Sequence, residues 1–186
     1  MTPRKRTGRC ATFVLTAALV TGALTGCQSL ADAASASCED TGSRVDALKS
    51  YDVLDSRPPG TIVPQGFEDL QAGCWEDSGE AWLYADRTYV FPGDKAEVIQ
   101  HYEAAAEREG WKPSKATRQA LKENRSASLC FTRGKTDDAT TLDVYFLTKE
   151  ILDAEETKTG PDFDAGFGYR VAVNSTADGS AASCSD

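Results

Sequence analysis

The chain has 186 residues, with 20 Lys and Arg against 29 Asp and Glu, a formal charge of −9, and one histidine. Acidity of this degree argues against nucleic acid as a partner, because affinity for a phosphate backbone comes mostly from Lys and Arg, and against docking of the folded surface on an anionic leaflet by charge. A single histidine also leaves little material for the Ser-His or Cys-His arrangements of nucleophilic catalysis.

The first nine residues, MTPRKRTGR, hold four basic residues and no acidic one, and the uncharged run that follows Cys10, ATFVLTAALVTGAL, is 14 residues long. These are the n-region and h-region of an export signal. A permanent span needs about 20 predominantly apolar residues, and this run contains Thr16, Thr21 and Gly22 and has no basic flank after it. It leads into Leu24-Thr25-Gly26-Cys27, which resembles the lipobox of bacterial lipoproteins. The resemblance covers only the start of the chain. It implies cleavage between Gly26 and Cys27, a diacylglyceryl thioether on Cys27, and anchoring of the new N-terminus on the extracytoplasmic face of the membrane. Ordinary signal cleavage beside Thr25 and Gly26, giving a secreted protein, is the alternative. Each buried CH2 contributes about 0.8 kcal/mol, so two or three acyl chains form a stable anchor without a transmembrane helix.

Loss of residues 1–26 removes Arg4, Lys5, Arg6 and Arg9 and no acid, so the charge of −9 becomes −13 over the remaining 160 residues. Residues 28–37, QSLADAASAS, are too small and polar to bury enough surface for order and read as a flexible tether, at most about 35 Å long when extended. The remainder, 38–186, has the length of one domain, with a polar C-terminal tail, TADGSAASCSD, expected to be flexible except where Cys184 fastens it. Cys10 leaves with the signal and Cys27 takes the lipid, so Cys38, Cys74, Cys130 and Cys184 remain, and an exported chain with four cysteines is expected to form two disulfides. Three connectivities are open; the preferred one joins Cys74 to Cys130 and Cys38 to Cys184, pinning both ends to the core. No close Cys/His spacing of the zinc type is present, and no metal or cofactor is expected.

Within the domain, Val45, Leu48 and Tyr51 with Asp40 or Thr41 as cap predict a short helix over 42–51, ended by the turn Ser56-Arg57-Pro58-Pro59-Gly60. Residues 61–74 show no clear period and are read as loop with a short edge strand. From Glu80 the alternation is sharp: Ala81, Leu83, Ala85, Arg87, Tyr89 and Phe91 share one face, and Trp82, Tyr84, Asp86, Thr88 and Val90 the other, which predicts a strand with aromatic residues on both faces. Pro92-Gly93 breaks it. Asp94 with Glu97 matches a capping box, and Val98, Ile99, Tyr102, Ala105 and Ala106 then form one helical stripe up to Gly110. Residues 112–125 fit helix or strand equally. Three further alternating runs, at 127–131, 142–146 and 167–173, predict antiparallel strands, the first two joined as a hairpin through 134–140. The order predicts an α+β two-layer sandwich, mainly antiparallel sheet with one well-defined helix packed on one face.

His101 borders the apolar stripe of that helix and reads as a partly covered helix residue, with a pH switch as the sharper alternative. Asp162-Phe163-Asp164-Ala165-Gly166 matches part of a calcium loop but lacks the later ligands, and reads as a hairpin loop. Paired carboxylates of the glycosidase kind have poor specificity in so acidic a chain. The more informative residues are Trp75, Trp82, Tyr84 and Trp111. Trp111 is expected to staple the helix end, whereas Trp82 and Tyr84 sit opposite Leu83 and either pack under the N-terminal segment or form a binding surface. The chain thus reads as a non-enzymatic envelope lipoprotein that binds a protein partner; capture of a small molecule, or less readily a carboxylate-dependent wall hydrolase, are the alternatives.

Overall fold

The computed structural model describes residues 37–123, 128–135 and 139–184. The signal, the lipobox with Gly26 and Cys27, and all of the tether before Ser37 lie outside the described residues. In chain order the elements are α1 (Gly42–Lys49), β1 (Gln71–Asp77), β2 (Glu80–Phe91), α2 (Lys95–Arg108), β3 (Lys112–Pro113), α3 (Lys115–Lys122), β4 (Leu129–Arg133), β5 (Thr140–Phe146), α4 (Lys149–Ala154) and β6 (Phe167–Thr176), with 3-10 turns at Asp52–Leu54 and Pro161–Ala165. The six strands form one sheet in the order β1-β2-β6-β5-β4-β3, and every pairing is antiparallel.

This is an α+β fold on an antiparallel sheet, as the alternation predicts. The helices differ from expectation: four α-helices occur among the described residues, not one. Two were hidden for physical reasons. In the ambiguous segment 112–125, Ser114 turns its hydroxyl to the Thr117 amide and starts α3, whose buried residues are only Thr117 and Ala120, so its apolar stripe is too narrow to read. α4 is six residues long with no buried side chain and is specified by its cap, Thr148 accepting from the Ile151 amide, more than by periodicity. The 3-10 turn after it holds Asp162, which accepts from the Gln65 amide at 2.9 Å. Residues 147–166 therefore form a folded connection between β5 and β6, where the sequence reading expected a simple hairpin loop.

The core lies on one face of the sheet. Leu83, Ala85, Tyr89 and Phe91 of β2, Leu142, Val144 and Phe146 of β5, and Tyr169, Val171 and Val173 of β6 meet Val98, Ile99, Tyr102, Ala105 and Ala106 of α2 and Leu48 of α1. Asp94 and Glu97 close the predicted capping box, and Gly110 takes the left-handed conformation (φ 78°) that turns the chain away. Trp111 is buried against Tyr51, ring centroids 5.3 Å apart. The irregular stretch after α1 is held by tyrosine hydroxyls reaching out of the core. Tyr89 donates to the Leu54 carbonyl at 2.8 Å and Tyr102 to the Ser56 carbonyl, so buried phenols and loop carbonyls satisfy each other.

The cysteines form two bridges, as expected, but in the other connectivity: Cys38–Cys74 and Cys130–Cys184, with Cα separations of 5.6 and 5.8 Å. The reason is registration across the sheet. Cys74 lies on edge strand β1 and Cys130 on β4, with β2, β6 and β5 between them, which is several strand spacings of about 4.8 Å and far beyond disulfide reach. Each chain end is pinned to the nearer side of the sheet instead. The polar C-terminal segment is fastened as far as the bridge: Ala182 is buried and donates its amide to the Ala139 carbonyl at 2.8 Å.

Candidate binding cleft on the open face of the sheet

Antiparallel register places side chains in rows across the second face, opposite α1 and α2. Trp75 pairs with Trp82. Gly73, Tyr84, Asn174 and Thr141 form the next row, and Gln71, Asp86, Ala172 and Asp143 the one after. Thr88, Arg170 and Tyr145 follow. All of these residues except Gly73 and Thr88 floor a cleft of about 1060 Å³. Its walls come from Ser114, Ala116 and Thr117 at the start of α3, from the Cys130–Cys184 bridge with Ser183, and from Glu155 and Thr157 after α4.

Trp82 and Tyr84 thus lie where the strand pattern puts them, on the face away from Leu83. They do not pack under the N-terminal helix: α1 sends Leu48 and Val45 into the core on the other face. Tyr84 owes its pose to Gly73. A Cβ at position 73 would stand 3.1 Å from the Tyr84 Oη and 3.3 Å from Cζ, so the absent side chain lets the phenol lie across β1. Trp75, 51% exposed, is the one large apolar side chain left open to solvent among the described residues.

The polar part of the floor is charged and poorly hydrated. Arg170 donates to both oxygens of Glu155, at 2.9 and 2.8 Å, and to the Tyr145 hydroxyl at 3.0 Å. Its Nε donates to Thr88 Oγ1 at 3.2 Å and lies 3.5 Å from Asp86 Oδ1. Burial works against the Arg170 charge, but the hydrogen bonds to Glu155 and the neighbouring Tyr145, Asp86 and Glu155 outweigh it and raise its pKa. The Asp86 carboxyl, 14% exposed, is pushed up to about 6 by burial; Arg170 pulls it down and the nearby Glu155 charge pushes it up. Asp143 is raised by burial as well, while Thr141 and Asn174, donating to its Oδ2 at 3.0 and 2.9 Å, oppose the shift. Among the described residues no Lys, Arg or His is paired with Asp143. Asp86 and Asp143 both register with Ala172, so their Cα atoms are two strand spacings apart, roughly 10 Å, with a methyl group between them.

Sequence reading placed Asp86 beside Trp82 and Tyr84 on the strand but missed Asp143, Glu155, Arg170 and Asn174. The signal for three of them was present: Asp143 and Tyr145 alternate with Leu142 and Val144, and Arg170 and Asn174 alternate with Tyr169, Val171 and Val173. Glu155 reaches the site from outside the sheet and had no such signal. The lone histidine lies elsewhere. His101 Nε2 is 2.9 Å from Ser56 Oγ, its ring stands edge-on to Tyr102, and neither His101 nor Ser56 lines the cleft. Burial and the charge of Arg108 lower the His101 pKa, so the imidazole is neutral near pH 7. Among the described residues no group of three or more His, Cys, Asp or Glu side chains has the arrangement of a metal site.

Searches for related proteins give no match to a family model, a curated protein or a solved structure. The two disulfides suggest an oxidising compartment. No helix among the described residues is long and apolar enough to cross a membrane.

Proposed function

We propose that this chain is a lipid-anchored extracytoplasmic binding protein that captures a small molecule in the cleft on the open face of its sheet. The observation that carries the reading is the combination of an aromatic floor with desolvated, hydrogen-bonded polar groups inside a walled volume. Small-molecule sites have this character: mostly apolar lining, a few fixed polar groups, and volumes of about 300–1,000 Å³. A protein partner of ordinary interface size buries about 800 Å² on each side, which fits a broad flat face better than a depression walled by α3, a disulfide and the 155–157 segment. The exposed Trp75 at the cleft mouth favours a protein partner as the second reading, since Trp is a common interface anchor.

The anchor rests on the export signal and the lipobox at Leu24-Thr25-Gly26-Cys27 and agrees with disulfide formation outside the cytoplasm. The non-enzymatic assignment rests on how the polar groups are engaged. His101 is remote from the cleft, Asp86 faces Arg170, and Asp143 is held by Thr141 and Asn174. A wall hydrolase using Asp86 and Asp143 as its acid pair predicts loss of glycan cleavage in Asp86→Asn.

Native mass spectrometry of the protein extracted in mild detergent from its own membranes tests the proposal. The expected species begins at acylated Cys27, is four hydrogens lighter than the reduced chain because of two disulfides, and carries a small bound mass. An additional subunit in place of that mass would favour the protein-partner reading. An unacylated form confined to the medium would overturn the anchor.

A further inference from the structure

Among the described residues, the acidic and basic side chains lining the cleft are three carboxyl groups, Asp86, Asp143 and Glu155, and one guanidinium, Arg170, an excess of acids over bases. The guanidinium is already spent. Both of its terminal nitrogens donate to Glu155 and its Nε faces Thr88 and Asp86, while its Cζ lies 5.7 Å from the centre of the Tyr145 ring. Among the described residues, Asp143 has only neutral donors, Thr141 and Asn174. It belongs to the row next to Tyr84, and the small Ala172 stands between Asp86 and Asp143 on the cleft floor, so that the two carboxyl groups flank it.

A carboxylate removed from water is costly unless paired, and aromatic ring faces attract cations. Building on the small-molecule reading above, we propose that the cleft takes a protonated organic amine, its ammonium group seated over Ala172 between Asp86 and Asp143 and its apolar body on Tyr84 and Trp82. The ammonium supplies the counter-charge that Asp143 lacks among the described residues. Ligand charge determines selection at this site: a neutral molecule of the same shape leaves Asp143 with hydroxyl and amide donors alone, and an anion meets three carboxylates. The raised proton affinity of both aspartates is consistent with this, since each holds a proton more readily than a solvated carboxylate and gains from any cation brought beside it.

The test uses full-length protein in mild detergent and three probes sharing one body: phenethylamine, phenethyl alcohol and phenylacetate. Binding is read from the indole N–H resonances of Trp75, Trp82 and Trp111. The first two line the cleft, and Trp111 is buried in the core on the other face, so it serves as an internal control. The expected result is that phenethylamine shifts Trp82 with Trp111 unmoved, binds roughly tenfold more tightly than the alcohol, and that phenylacetate is weakest. Asp143→Asn is expected to bring the amine down to the level of the alcohol. Because the three probes are compared on the unmodified protein, the proposal stands or falls even where a variant fails to fold. Equal affinities at the cleft, or tightest binding of phenylacetate, would overturn the cationic class and leave the small-molecule reading intact. Indole resonances unmoved by all three probes would overturn both.

Discussion

Replacing Asp86 by asparagine removes a carboxylate that burial makes costly to ionise, and the consequence is a change in how stability depends on pH. The folded-state pKa is raised from its ordinary 3.8 to about 6. A raised acid binds its proton more tightly in the folded state than in the unfolded one. Its contribution is therefore full below about pH 3, where both states are protonated, and is lost as pH rises from there through the folded value, levelling off by about pH 7. At about 1.36 kcal/mol for each tenfold in proton affinity, the rise corresponds to about 3 kcal/mol lost between pH 3 and pH 7. Arg170, Glu155 and Tyr145 surround Asp86 from β6, the segment after α4 and β5, and all three remain in the variant. The shift at Asp143 is common to both proteins and cancels in their difference. Urea unfolding of the unit spanning residues 33–186, with disulfides intact and followed by tryptophan fluorescence, gives the difference directly. Wild type is expected to lose about 3 kcal/mol relative to Asp86→Asn from pH 3 to pH 7, and almost none between pH 7 and pH 8. Parallel profiles would refute the reasoning. A wild type that gains on the variant as pH rises would mean that attraction to Arg170 exceeds the cost of burial.

Peptide mapping of unreduced protein is expected to yield the linked pairs Cys38–Cys74 and Cys130–Cys184 and no others among these four. Removing the second bridge with Cys130→Ser and Cys184→Ser opens a link spanning 54 residues, and the chain-entropy relation gives a loss of about 4 kcal/mol, measurable by urea unfolding. Gly166→Ala sets a methyl group against the Phe91 carbonyl, backbone that has no room to yield. It is expected to cost about 1–3 kcal/mol and several degrees of Tm, whereas Gly160→Ala, with open space around its Cβ, leaves Tm within about a degree. Gly73→Ala is expected to lift the Tyr84 ring, read as a change in near-ultraviolet circular dichroism with a stability loss of roughly 1 kcal/mol or less.

What the sequence makes legible here follows from burial on one side. β2, β5 and β6 each send every second residue into one core, so their alternation survives in the sequence and fixes which residues share a face. α2 is legible because five apolar residues and a capping box agree. α3 and α4 bury little and are set by Ser114 and Thr148 at their starts, a signal too short to outweigh the polar residues around it. The disulfide pairing depends on strand order, and strand order is a long-range property: β6, last in the chain, inserts between β2 and β5 and separates Cys74 from Cys130.

The cleft was hidden by the same alternation that revealed the sheet. Polar residues between buried ones are ordinarily read as the solvated side of a strand, and Asp86, Asp143, Arg170 and Asn174 fit that pattern when each strand is taken alone. The register brings them together, and the start of α3, the Cys130–Cys184 bridge and Glu155 with Thr157 wall the cleft they floor. A solvated face would leave Asp86 at an ordinary carboxylate pKa and would gain little from an Arg170 bonded twice to Glu155. Here the guanidinium and its two acids are partly buried, where such a bidentate contact is stronger and more directional. The arrangement fixes one end of the cleft and leaves Asp143, with Tyr84 and Trp82, as the end whose charge and ring faces have no partner of opposite sign within the described residues.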